Sequence, residues 1–335
     1  MIIVESYGVA VVLCVVTMLC WGSWANTQKL ASKEWKFQLF YWDYALGELL
    51  FALALALTAG SFGDAGRSFT ADLRQAQSGP LGSAFLGGVI FNLSNILLVA
   101  AIDIAGMSVA FPVGVGLALV IGVITNYVAT PLGNPLLLFV GVADVVLAIL
   151  LSALAYGRLP AQGQKTTGKG IALSVVAGLL MGTFYRFVAA SMSADFRHLE
   201  PGKLSPYTAI VMFSAGLLVS NFLWNTIVMK RPIAGDPVAF ADYFSKGTTR
   251  LHSIGILGGA IWNTGMALNI IASGAAGFAI SYGIGQGATM VAALWGVFIW
   301  KEFKSAPAGT NKLLALMFAS FITGLLLIVL ARVLI

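Results

Sequence analysis

The chain has 335 residues, 59% of them hydrophobic and only 10% charged, with a formal net charge of +6. A soluble domain carries about 25% charged residues, so most of this surface faces hydrocarbon and a soluble enzyme is excluded. The basic excess lies in short clusters between apolar runs, a pattern that belongs to membrane topology and argues against a nucleic-acid partner.

Crossing a bilayer core of about 30 Å takes roughly 20 mostly apolar residues. The first such run, 7–28, has no basic segment before it and no small-residue cleavage site. It is expected to be a retained helix and not a signal peptide. Its two cysteines, Cys14 and Cys20, would stand about 9 Å apart along a helix axis, too far for a disulfide. Nine further runs follow at 38–59, 81–102, 107–127, 135–156, 170–192, 206–228, 254–273, 277–299 and 312–332. The turns near 103–106, 130–134 and 273–276 are short and force antiparallel neighbours. The longest connections, 60–80 and 229–253, hold Gly, Pro, Ser and mixed charge, as solvated loops do. The expectation is an all-α membrane protein of ten transmembrane helices.

Lys and Arg placement orients the spans. If the N-terminus lies on one side, that side holds Arg67, Arg74, Arg197, Lys203 and Arg332, and thirteen basic residues fall on the other. The side with thirteen is then cytoplasmic, and both termini face outward from a cell (inner) membrane.

The two halves resemble each other. Gly87-Gly88-Val89-Ile90-Phe91-Asn92 lies on Gly258-Gly259-Ala260-Ile261-Trp262-Asn263 with a constant offset of 171. The same offset carries Ala105-Gly106 onto Ala276-Gly277, and Phe111-Pro112-Val113-Gly114 onto Tyr282-Gly283-Ile284-Gly285. Gly22-Ser23-Trp24 matches Gly182-Thr183-Phe184 at another offset. The expected units are 1–156, a cytoplasmic linker at 157–169, and 170–335. Each repeat holds five helices, an odd number, so the second copy enters the membrane from the opposite side. Such inverted repeats are a transporter architecture, with two nearly equivalent states around a site at half depth.

Ten spans as five plus five, Gly22-Ser23-Trp24 in the first helix and Tyr41-Trp42-Asp43-Tyr44 opening the second resemble the drug/metabolite transporter superfamily. Within it the chain is most similar to the ureide permease branch, beside the bacterial glucose/rhamnose uptake proteins. The likeness runs over nearly the whole chain. It implies a proton-linked or facilitative carrier of a small polar solute: a ureide, a nucleobase or a sugar. Plant members carry a long central loop with a phosphate-loop-like motif, whereas the loop here is short. Gly163-Gln164-Lys165-Thr166-Thr167-Gly168-Lys169-Gly170 nearly matches that motif. Gly170 lacks the hydroxyl that would hold Mg²⁺ and no strand precedes it, so the segment reads as a flexible basic loop.

Ionisable groups at half depth are costly and therefore functional candidates. Glu48 sits about ten residues into the second span. It reads either as a group that binds and releases a proton during transport or as a neutral hydrogen-bonding tie between helices. Arg186, in the sixth span, either finds an anionic partner or reaches the outer interface. Asp144, in the fifth, is its candidate charge partner or a second proton carrier. Asp43 is expected at the interface and Asp103 in a solvated turn. Asn92 and Asn263 correspond in the repeat, with Asn95 on the same face as Asn92. Their amides suit a polar uncharged solute, or else tie helices together. Tyr282 and Gln286 add polar groups to a Gly-rich segment where local unwinding would line a cavity. Trp21, Trp24 and Trp262 suit the flat face of a ring, with an interfacial belt the alternative for Trp24. Trp42, Trp295 and Trp300 are assigned to packing or to that belt.

These residues point to a secondary transporter whose partners are a small-molecule substrate, the lipid bilayer and, through Glu48, protons. Export of drugs or metabolites is the second carrier reading, and a channel the non-carrier one. A membrane enzyme lacks candidates: His198 and His252 fall in loops on opposite faces, and no metal-ligand spacing occurs. No cofactor is expected.

Overall fold

The computed structural model of the chain describes residues 1–32, 34–159 and 168–334. Gly163 to Thr167 of the phosphate-loop-like segment lie outside the described residues. Among the described residues, ten helices are long and apolar enough to cross a membrane: α1 (Tyr7–Ala31), α2 (Phe37–Leu57), α3 (Ser78–Ala105), α4 (Val109–Ala129), α5 (Pro135–Tyr156), α6 (Gly168–Ser191), α7 (Pro206–Lys230), α8 (Thr249–Ala276), α9 (Phe278–Ile299) and α10 (Thr310–Val333). Several ends follow from local chemistry. The Asn134 side chain accepts from Leu136 and Leu137 ahead of Pro135 in α5, and Ser205 caps α7 ahead of Pro206. Gly106 and Gly277, at φ 80° and 85°, make the matched tight turns after α3 and α8, where a side chain would be strained.

Helix pairing is consistent with the expected repeat. α3 packs on α6 and α7, and α8 packs on α1 and α2; α4 meets α6 as α9 meets α1; α2 pairs with α7, α4 with α9 and α5 with α10. Glycines fix the closest approaches. A Cβ on Gly88 would stand 1.9 Å from the Phe213 carbonyl oxygen, and one on Gly259 2.0 Å from that of Tyr44. A Cβ on Gly47 would likewise stand 2.1 Å from the Ile256 carbonyl oxygen, and one on Gly216 2.0 Å from that of Phe85. A Cβ on either Gly141 or Gly324 would stand 2.7 Å from the other's carbonyl oxygen. Without water to drive helices together, such backbone contact supplies the packing.

Both termini lie on one face. Tyr7 at the start of α1 donates to the Val329 carbonyl near the end of α10, and the N-terminal amine bonds the Ala65 carbonyl of the α2–α3 loop. The opposite face carries the basic loops. We call these the terminal face and the basic face.

Asp43, expected at the interface, is buried at its end of α2: Tyr243 donates to one carboxylate oxygen, and His252 Nδ1 lies 3.0 Å from both. Those partners, from the α7–α8 loop and the start of α8, fold over the end of α2. Burial, followed by the neighbouring Asp43 carboxylate, pushes the Tyr243 hydroxyl well above its usual range.

Candidate substrate cavity

A cavity of about 450 Å³ opens toward the basic face between α1, α3, α4, α5, α6, α8 and α9. Its deep end is aromatic. Trp21 stacks on Trp262 with centroids 5.6 Å apart, and its Nε1 donates to the Trp262 carbonyl at 3.2 Å. Phe91 lies 4.3 Å from Trp262, and Phe184 lies 5.0 Å from Phe91. Trp24, where α1 tightens by a three-residue turn, forms a side wall and rests on Tyr44 at 4.9 Å.

Among the described residues, four carboxamides line this space, Asn26 and Gln28 on α1 together with Asn95 and Gln286. Asn95 spends an N–H on the Tyr41 hydroxyl at 3.1 Å, which leaves its carbonyl oxygen as an acceptor. Gln286 sits at the break in α9, between Phe278–Gly285 and Ala288–Leu294, and no protein group bonds its side-chain amide among the described residues. Local unwinding therefore occurs in α9, whereas α4 runs unbroken through Pro112.

Charge is confined to the mouth. Lys29 pairs with Glu302 at 2.9 Å and stands 4.1 Å over the Trp300 ring, while Tyr156 donates to the same carboxylate at 3.1 Å. Trp300 Nε1 donates to Asn26 at 2.7 Å, and Trp295 Nε1 to Ser23 at 2.9 Å. These tryptophans, assigned above to packing or the belt, also line the cavity. Asp103 lines it too, at the end of α3. On the terminal side the space is shut. Tyr282 is buried there, donating at 3.3 Å to the carbonyls of Ala118 and Met181, with its ring against Gly122.

The other expected site residues lie elsewhere. Asn92 is buried and donates to the Leu217 carbonyl and to Ser220, both on α7. Asn263 donates to Ser214 of α7 at 2.8 Å. Both amides therefore tie helices and do not line the cavity; Asn92 points across the contact that Gly88 and Gly216 make between α3 and α7. Asp144 and Arg186 are half-buried, line no part of the cavity and form no ion pair with each other. Trp42 packs, donating to the Met229 sulfur.

Glu48 is buried on α2, one step behind the wall. Tyr44 and Asn263 are the polar side chains beside its carboxyl, and neither closes a hydrogen bond to it. Tyr44 stacks on Tyr41 at 5.1 Å, and Tyr41 holds Asn95. A run of polar groups therefore joins the cavity wall to the buried carboxyl. Asn95 was found from the sequence by its spacing from Asn92. Phe91, Phe184, Tyr156, Lys29 and Glu302 were not, although Phe91-Asn92 and Trp262-Asn263 match in the repeat and mark an aromatic position in each half.

A family model described as ureide permease matches residues 40–167 and 159–331. Ureide permease 1 and ureide permease 2 of Arabidopsis thaliana are each 24% identical, with 97% of both chains covered. Ureide permease 5 of the same plant is 23% identical over 95% of this chain and 93% of its own. A crystal structure of another protein superposes with a TM-score of 0.61 at 17% identity, covering 98% of this chain and 99% of that one, a likeness of fold alone.

Proposed function

Because the chain belongs to the ureide permease family, we propose that it is a secondary carrier of a ureide or a similarly flat, uncharged ring solute, working by alternating access and coupled to protons through Glu48. It stands, in this reading, within the drug/metabolite transporters beside the bacterial glucose/rhamnose uptake proteins, in a cell membrane with both termini outside. The observation that carries the reading is the cavity itself: aromatic faces at Trp21, Trp262 and Phe91, carboxamide edges at Asn95 and Gln286, and charge only at the mouth. A urea-type group presents N–H donors and a carbonyl acceptor in one plane. Carboxamides match both, and rings stack on the plane. A volume of about 450 Å³ suits a small molecule.

The symmetric helix pairing supports two states related by exchange of the halves, with this one open toward the basic face. Among the described residues Glu48 has no cation beside it, and a buried unpaired carboxylate is costly. It is proposed to carry its proton in this state and release it when the bundle rearranges. A lipophilic-cation exporter is disfavoured because, among the described residues, the deep cavity holds no carboxylate. Saturable counterflow of labelled allantoin in proteoliposomes, with accumulation driven by an inward acid gradient, is the expected result. Linear flux without counterflow would make the protein a channel.

A further inference from the structure

We propose that the second, terminal-face opening of this carrier runs along a buried polar seam lined by Asn269, Ser281, Tyr185 and Ser273, and that Phe196 is its lid, seated on Gly274. The seam starts at the cavity. A Cβ on Gly285 would stand 3.0 Å from the Trp21 ring and 2.7 Å from the Asn269 amide nitrogen, so Asn269 lies directly behind the aromatic end wall. Asn269 donates to the Ser281 carbonyl at 2.7 Å, while its own carbonyl oxygen is buried without a protein partner among the described residues. The Ser281 hydroxyl lies 3.3 Å from that of Tyr185, and Ser273 is the next polar neighbour of Tyr185. One residue beyond Ser273, Phe196 of the α6–α7 loop is buried, its ring 2.6 Å from where a Gly274 Cβ would be.

All four seam residues are at most 3% exposed, yet they join in one file from the end wall to the surface. Polar groups are costly in a closed helix bundle and useful where water and solute pass. The repeat gives the same answer independently. The offset that pairs Gly88 with Gly259 pairs Leu98 and Ile102, on the open cavity wall, with Asn269 and Ser273. The pairing of Gly22 with Gly182 likewise places Ala25, on that wall, with Tyr185. The seam is therefore the closed counterpart of the open cavity, and it differs in carrying polar groups where the open wall is aliphatic. An uncharged polar solute would meet hydroxyls and an amide on this side.

The proposal rests on the carrier reading, and its test separates the two. In a background with Cys14 and Cys20 replaced by Ser, single Ser273→Cys, Asn269→Cys and Ser152→Cys proteins are reconstituted. Each is labelled with an impermeant maleimide from either side. Ser152 lines the open cavity. Phe196→Ala removes the lid, and Gly274→Val pushes it off its seat. With either change, terminal-side labelling at positions 273 and 269 is expected to quicken roughly two- to fivefold, and basic-side labelling at 152 to slow in step. Unchanged labelling at both seam positions, in proteins that still show counterflow, overturns the seam and leaves the carrier standing. Loss of counterflow in the lid-intact background, with labelling at 152 intact, overturns both. Ser273→Cys is nearly isosteric and carries the test if Asn269→Cys fails to fold.

Discussion

Replacing Gln286 with Met should weaken binding of a ureide without weakening the fold. The amide of Gln286 bonds no protein group among the described residues and faces the cavity, so a side chain of similar length removes nothing the helices need. What disappears is a donor and an acceptor for the solute. A buried polar group on the solute left without its partner costs about 1–3 kcal/mol. That corresponds to a loss of affinity of roughly 5- to 150-fold. The KM for counterflow of labelled allantoin should rise within that range, while thermal unfolding of the detergent-solubilised protein shifts by less than about 0.5 kcal/mol. An unchanged KM at full stability would refute the assignment of Gln286 as a solute contact. A large loss of stability would show that the amide holds the break in α9 together instead.

Three further outcomes follow from the same geometry. Glu48→Gln keeps the shape of the buried group but removes its titration, so accumulation under an acid gradient should be lost while counterflow survives; full accumulation would remove Glu48 from the coupling step. Trp21→Ala removes the ring that stacks on Trp262, an interaction worth about 0.5–1.5 kcal/mol beyond its buried area, and should raise the KM for planar ring solutes more than for glucose, read as a ratio of KM values. Gly88→Ala and Gly259→Ala each place a Cβ within about 2 Å of a facing carbonyl oxygen. Both should destabilise by about 1–3 kcal/mol, whereas Gly82→Ala, with nothing within 4 Å, should leave the melting temperature unchanged.

The ten spans were legible because a bilayer imposes length and apolarity on every crossing helix, and each observed helix overlaps its expected run. The likeness of α3 to α8 was legible through its glycines. That of α2 to α7 was not, since Glu48 stands where Leu217 does and only Gly47 and Gly216 betray the match. The site was legible in part. Mid-helix polar residues announce that something must satisfy them, but not which neighbour does so. Asn92 and Asn263 turn toward α7, and Asn95, one helical turn on, turns into the cavity. The mouth was hidden for a different reason. Lys29, Tyr156 and Glu302 come from three distant points of the chain and meet only through the packing of α1, α5 and the α9–α10 connection.

Solute protection of the cavity wall is the decisive observation. Ser152→Cys should react with maleimide from the basic face, and allantoin should slow that reaction with a half-maximal concentration equal to its KM for counterflow. Labelling that ignores saturating solute, in a protein still transporting it, would place the binding site somewhere other than the space between Trp21, Asn95 and Gln286.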